Sequence, residues 1–178
     1  AEEGGAVYSS SGTLTFDDCV FEGNVATDRN GGAVWAIGGN VTIVGGVFLA
    51  NTAFRYGGAV HATDGVLEVQ GGARFEDNEA QVAGALFCGS TAEGSVSSAV
   101  LCSLTEAEFS SNRAIFEHQD EDETASLDGG GAAAFHLADA TVTECAFNGN
   151  YAATSGGALF GGPSTNVMVD GCTFGNNT

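Results

Sequence analysis

The sequence predicts an all-β fold: a parallel β-helix solenoid of six coils, with about 27 residues in a regular coil. Three observations predict it. First, a Phe-x-x-Asn element recurs at Phe21–Asn24, Phe48–Asn51, Phe75–Asn78, Phe109–Asn112, Phe147–Asn150 and Phe174–Asn177. Its spacings are 27, 27, 34, 38 and 27 residues. Second, a Gly-Gly-Ala-aliphatic element precedes each of these, at Gly4–Val7, Gly31–Val34, Gly57–Val60, Ala83–Leu86, Gly130–Ala133 and Gly156–Leu159. Third, no stretch repeats apolar residues at helical spacing, whereas short runs alternate as half-buried strands do.

Taken in order, the first coil alternates Leu14, Phe16, Cys19 and Phe21 with Thr13, Thr15 and Val20. The second predicts strands over Ala33–Ile37, Val41–Val44 and Val47–Leu49, separated by Gly and Asn turns. The motif residues then have physical tasks. A glycine pair permits positive φ or close backbone approach where one coil feeds the next. The motif Phe points inward and stacks on its counterpart about 4.8 Å away, the strand spacing of a sheet. The motif Asn forms a side-chain amide ladder along the axis.

Coils four and five carry insertions. One runs between Leu86 and Phe109 and includes Cys88–Cys102; the other is Ile115–Asp128. Insertions in solenoids leave as loops, often toward a binding face. Residues 1–178 read as one β-helix segment. Coil signatures stand almost at both ends, so the expectation is a segment of a longer chain, with further coils or other copies end to end as partners.

Composition narrows the function. The chain has 178 residues, 23 acidic side chains, four arginines, no lysine and a net charge of −19. A phosphate backbone or an anionic bilayer surface is repelled by such a protein, so nucleic acid is excluded as an expected partner. No run of about 18 apolar residues occurs, so no membrane insertion of this segment is expected. The acidic surface fits an extracellular or cell-surface setting.

Several residues are candidates for chemistry. Cys88 and Cys102 bracket a Gly/Ser-rich insertion, and a disulfide pinning that loop is expected. Cys19, Cys145 and Cys172 each stand two residues before a motif Phe, so they share one inward column. Cys145 and Cys172 fall in adjacent coils, either bonded or stacked as small buried thiols. The acidic run Glu117–Glu123, with Asp120, Asp122 and Glu123, offers oxygen ligands for calcium, the one cofactor in view. It lacks the ligand spacing of an EF-hand, and a solvated loop is the alternative. Arg29 and Arg55 each lie two residues before a glycine pair, in one column with Gln81. They are candidates to hold a carboxylate or sulfate ligand, with nearby acids as their other partners. Asn40 and Asn176 begin Asn-x-Thr sequons open to glycosylation. His61 takes the place of Tyr8 and Trp35 in a largely aromatic column and reads as stacking. No catalytic residue is identified.

These Gly-Gly-Ala-(Val/Leu) and Phe-x-x-Asn repeats resemble those of the chlamydial polymorphic outer-membrane proteins. Related repeats occur in large secreted β-helix proteins of algae and protists. The resemblance spans all six units, with Ala83 replacing a glycine and Ala133 replacing an aliphatic residue. It implies a right-handed, pectin-lyase-like β-helix displayed at a surface, with structural or adhesive roles and polysaccharide or cell-surface glycan as ligand. The matched residues are structural in that family, so the resemblance carries over no catalytic group. The expected function is a structural or adhesive module of a surface protein or filament. The rival is a carbohydrate-active lyase, hydrolase or epimerase on the same scaffold, which requires Arg beside carboxylates on an outer strand face.

Overall fold

Each strand pairs in parallel with a strand one repeat later, so residues one repeat apart become neighbours along an axis while the chain runs around it. The computed structural model describes residues 1–90, 100–115 and 129–178. Those residues are all-β and form three parallel sheets: one of ten strands, one of six and one of five. This is the parallel β-helix that the repeat predicts.

The six-stranded sheet carries the phenylalanines. It pairs Val20–Glu22, Val47–Leu49, Arg74–Glu76, Glu108–Ser110, Ala146–Asn148 and Thr173–Gly175 in register. Register places Phe21, Phe48, Phe75, Phe109, Phe147 and Phe174 in one column. Successive rings lie 4.7 to 5.0 Å apart, with interplanar angles no greater than 15°. Strand spacing sets that separation. Phe48, Phe75, Phe109 and Phe147 are buried, and removing each ring from water contributes roughly 2–3 kcal/mol.

The five-stranded sheet follows directly, in two-residue strands such as Thr52–Ala53 and Glu79–Ala80. These lie outside the three predicted strands of the second coil. They exist because the motif asparagine before each one locks the turn. The N–H and Nδ2 of Asn51 both donate to Oδ1 of Asn78, each at 3.0 Å, and its Nδ2 also donates to the Phe21 carbonyl at 2.9 Å. Asn78, Asn112 and Asn150 repeat the pattern. All four of these asparagines are fully buried, at 0% exposure. That is tolerated because the amide's two donors and its oxygen are all used.

The ten-stranded sheet shows a second difference. Two of the predicted strands fuse into one, Val34–Val44, and the next coil does the same over Val60–Gln70. Gly38 and Gly39 bend the chain at φ of 68° and 82°, yet Gly39 remains paired with Gly65, so the ladder turns without breaking. Where Leu137 takes the bend instead, at φ 50°, the strands separate into Ala133–His136 and Ala138–Thr143.

The glycine pairs divide their labour. The first member is left-handed in every copy, with φ between 51° and 75°. Ala83, in the one copy without that glycine, accepts φ 57° and the strain it brings to a side chain. The second member is needed for a different reason. A Cβ at Gly32 would meet the Gly58 carbonyl, one at Gly58 the Gly84 carbonyl, and one at Gly84 the Gly131 carbonyl. The coils stack as bare backbone at this corner, and buried Ala33, Ala59, Ala85 and Ala132 follow it inward.

Candidate functional site

The four arginines are the only fixed cations on this acidic surface. Arg29 and Arg55 do lie one rung apart, since the Arg55 N–H donates to the Arg29 carbonyl at 2.9 Å. Arg29 turns its guanidinium to Glu3 at 3.0 Å, and its side chain is 61% exposed. Arg55 is exposed and has no ion pair among the described residues. Arg74 bridges Glu76 and Glu108, at 3.2 and 3.6 Å. Arg113 meets Glu79 at 3.1 Å and lies over the Tyr151 ring at 5.9 Å. Pairs this exposed contribute little to stability. They mainly offset like charges along a rod of net negative sign.

The first insertion is anchored from both sides. Cys88 lies in the strand Leu86–Gly89 and Cys102 in Val100–Thr105, both facing the interior. They form a disulfide with Cα atoms 6.3 Å apart, as the sequence predicts. His136 holds the same root from the next coil. Its Nδ1 is 2.7 Å from the Ser90 carbonyl, while the Ser90 N–H donates to the His136 carbonyl at 2.9 Å. A carbonyl only accepts, so Nδ1 carries the proton. Spacing alone did not indicate this role for His136.

The other cysteines remain thiols. Cys19, Cys145 and Cys172 are free, so the bonded alternative for Cys145 and Cys172 is not what the structure contains. Instead the Cys145 N–H donates to Cys172 Sγ at 3.3 Å, and each thiol is directed at a backbone carbonyl. Gly46, Ala73 and Ala107 occupy the intervening column positions, so the column takes only small residues. Burial is the first cause that pushes the Cys145 thiol up to about 11.

Asn40 is exposed in mid-strand between Thr13 and Val66, and Asn176 is exposed in a turn with its Nδ2 donating to Asn148 Oδ1 at 3.2 Å. The calcium candidates Asp120, Asp122 and Glu123 lie outside the described residues. Among the described residues, no group of three or more His, Cys, Asp or Glu is placed to hold a metal ion. No described helix is long and apolar enough to cross a membrane.

A layer outside the main core is the feature that sequence reading only half found. The column Tyr8, Trp35, His61, Phe87, Ala134, Phe160 is real, by register. Val82, Ala83, Phe87 and Ala134, with Tyr56 and Phe160, form a second apolar cluster against it. The spacing of Tyr56 five residues before His61, and of Val82 five before Phe87, was the available signal.

The geometry supplies stacking, ladders and an anchored loop root. Neither described histidine is oriented by a carboxylate: His136 meets a carbonyl and the His61 nitrogens meet no partner. No curated protein and no solved structure matches this chain. Residues 18–37 match the family model of the Chlamydia polymorphic membrane protein (Chlamydia_PMP) repeat, so over one Phe-x-x-Asn and the Gly-Gly-Ala-Val that follows it the chain is similar to that repeat.

Proposed function

We infer that this protein is a surface-displayed β-helical rod with a structural or adhesive role. One observation carries the reading: every repeated signature residue is spent on holding coils together. The Phe column, the Asn ladder and the bare glycine corner face inward or along the axis. What remains outside is a set of aligned rows. One of them reads Thr15, Thr42, Glu68, Ser103, Thr141, Met168.

Such rows present hydroxyl and carboxylate groups at strand spacing, suited to long ligands such as glycans. The likeness of residues 18–37 to a membrane-protein repeat supports display at a cell surface. The acidic charge supports an exterior setting as well.

The test is antibody labelling and protease shaving of intact cells of the source organism. Labelling of intact cells, lost after shaving, is expected. Labelling that appears only after permeabilisation overturns the reading.

A further inference from the structure

The outer face of the ten-stranded sheet carries one amide that the fold leaves unused. The motif asparagines are spent on the ladder, as Asn51 is on Asn78. Asn176 donates to Asn148 at 3.2 Å, and Asn166 donates to Asp139 at 2.7 Å. Asn30 has its Oδ1 buried. Among the described residues, Asn40 alone combines an exposed side chain with an amide that bonds nothing.

Its place in the sheet gives it no structural reason to be asparagine. It lies within the strand Val34–Val44, paired to Thr13 on one side and to Val66 on the other. Strands disfavour asparagine and favour the Thr and Val of those rungs. Further along the same column come Leu101, then Asp139 and Asn166, which hold each other.

What the position offers is room. Gly38 and Gly39 come immediately before it, and a Cβ at Gly39 would meet the Gly12 carbonyl of the neighbouring coil. On its other side Gly39 pairs with Gly65. The amide therefore stands beside a seam of bare backbone. Side chains alternate along a strand, so Thr42 lies on the same outer face as Asn40, while Val41 between them is buried. The sequon Asn40-Val41-Thr42 is complete and turned outward.

The other sequon is tied down. Asn176 has its Nδ2 on Asn148 Oδ1, and the residue after it, Asn177, is built into the ladder through both Nδ2 and Oδ1. A sugar on Asn176 has to disturb those bonds, and one on Asn40 disturbs none. The Cys88–Cys102 disulfide points the same way, since disulfides form in the oxidising compartments of the secretory route, where sequons are used.

We propose that Asn40, rather than Asn176, is a site of N-linked glycosylation. The donor is an oligosaccharide on a lipid diphosphate. The bond from C1 of the sugar to the diphosphate breaks, C1 bonds Asn40 Nδ2, the amide gives up one proton and the lipid diphosphate leaves. The oligosaccharide then stands over Thr13, Thr15 and Thr42 and shields that end of the hydroxyl rows. The modification goes beyond the surface-display reading, which labelling of intact cells tests separately.

The experiment is peptide mapping by mass spectrometry of the protein purified from its source organism. Release with peptide N-glycosidase in heavy-oxygen water converts the carrying asparagine to aspartate and marks it by mass. The mark is expected at Asn40 in most copies. Produced in the same organism, Asn40→Gln and Thr42→Val are expected to lose the sugar and keep their β dichroism, and Thr42→Ser to retain both. An unmodified Asn40 in most copies, a mark at Asn176 instead, or a sugar persisting on Asn40 in Thr42→Val overturns the proposal. Should the variants not fold, the wild-type map decides alone.

Discussion

Asn78 and Asn112 are 34 residues apart in the chain and hydrogen-bonded twice: the N–H and the Nδ2 of Asn78 both donate to one oxygen, Oδ1 of Asn112, at 3.1 and 2.9 Å. The pair spans the first insertion, yet its geometry matches that of Asn51 with Asn78, which spans none. The ladder is therefore indifferent to what the chain does between rungs. The coil is rebuilt after each insertion because the motif returns to the same place.

Truncating Asn78 to alanine should be among the costliest single changes. It orphans two donors of Asn51 and removes the amide's bonds to the Phe48 carbonyl and to the Asn112 oxygen, which keeps only the backbone N–H of residue 78, all at the buried turn. Each unsatisfied buried group costs on the order of 1–3 kcal/mol, so a loss of at least about 2 kcal/mol is expected. Urea unfolding of Asn78→Ala measures it, and a loss below about 1 kcal/mol would show that the ladder is incidental.

The two kinds of glycine should respond differently to alanine. Gly58→Ala drives a Cβ into the Gly84 carbonyl and the backbone of Glu79. Backbone on both sides has nowhere to move, so a loss of about 3 kcal/mol is expected. Gly72 has φ 75° and open space around a built Cβ, so Gly72→Ala should cost only about 1 kcal/mol of left-handed strain. Thermal melts of the two variants side by side would contradict this if their order reversed.

Removing the disulfide should loosen the first insertion without dissolving the rod. Cys88 and Cys102 are 14 residues apart, and freeing a loop of that size costs roughly 3 kcal/mol in the chain-entropy picture. The double variant Cys88→Ala/Cys102→Ala should keep its β dichroism and unfold at lower urea. Proteolysis should cut it first between residues 90 and 100. Cleavage first at the Asn ladder would count against the anchoring role.

The free thiols should react in a fixed order that depends on pH. Cys145 is buried, and its thiol is pushed up to about 11 from 9.0. Its thiolate is the reactive form, so at mildly alkaline pH it should lag behind partly exposed Cys19 and Cys172 with a thiol reagent. The sign for stability follows. A thiol raised in the folded state favours folding fully below 9.0, and that contribution is lost as pH rises from 9.0 toward about 11. Mass-resolved alkylation across this range tests both statements, and early labelling of Cys145 would refute them.

Local sequence foretold the fold where one residue type does one job in every coil. Phe48 and Phe75, Asn51 and Asn78, and Gly32 and Gly58 were legible because strand pairing turns a repeat along the chain into a column in space. The Cys88–Cys102 pairing was legible because both cysteines flank a single insertion.

Other features depend on contacts that the period does not contain. The fusion of two predicted strands into Val34–Val44 depends on Gly39 staying paired with Gly65. Both alternatives for Cys145 and Cys172 fitted the spacing, and side-chain direction at the turn left them as thiols. The role of His136 at the Ser90 carbonyl joins residues from different coils with no shared motif.

By itself, then, the sequence determined a parallel β-helix and the membership of its columns. Periodic chemistry along the chain fixes register, because a shifted rung would misplace Phe, Asn and Gly together. The tertiary structure alone decided which groups within those columns are satisfied. His61 was legible as a stacked ring, but only packing between Tyr56, Trp35 and Phe87 leaves both its nitrogens buried without a partner.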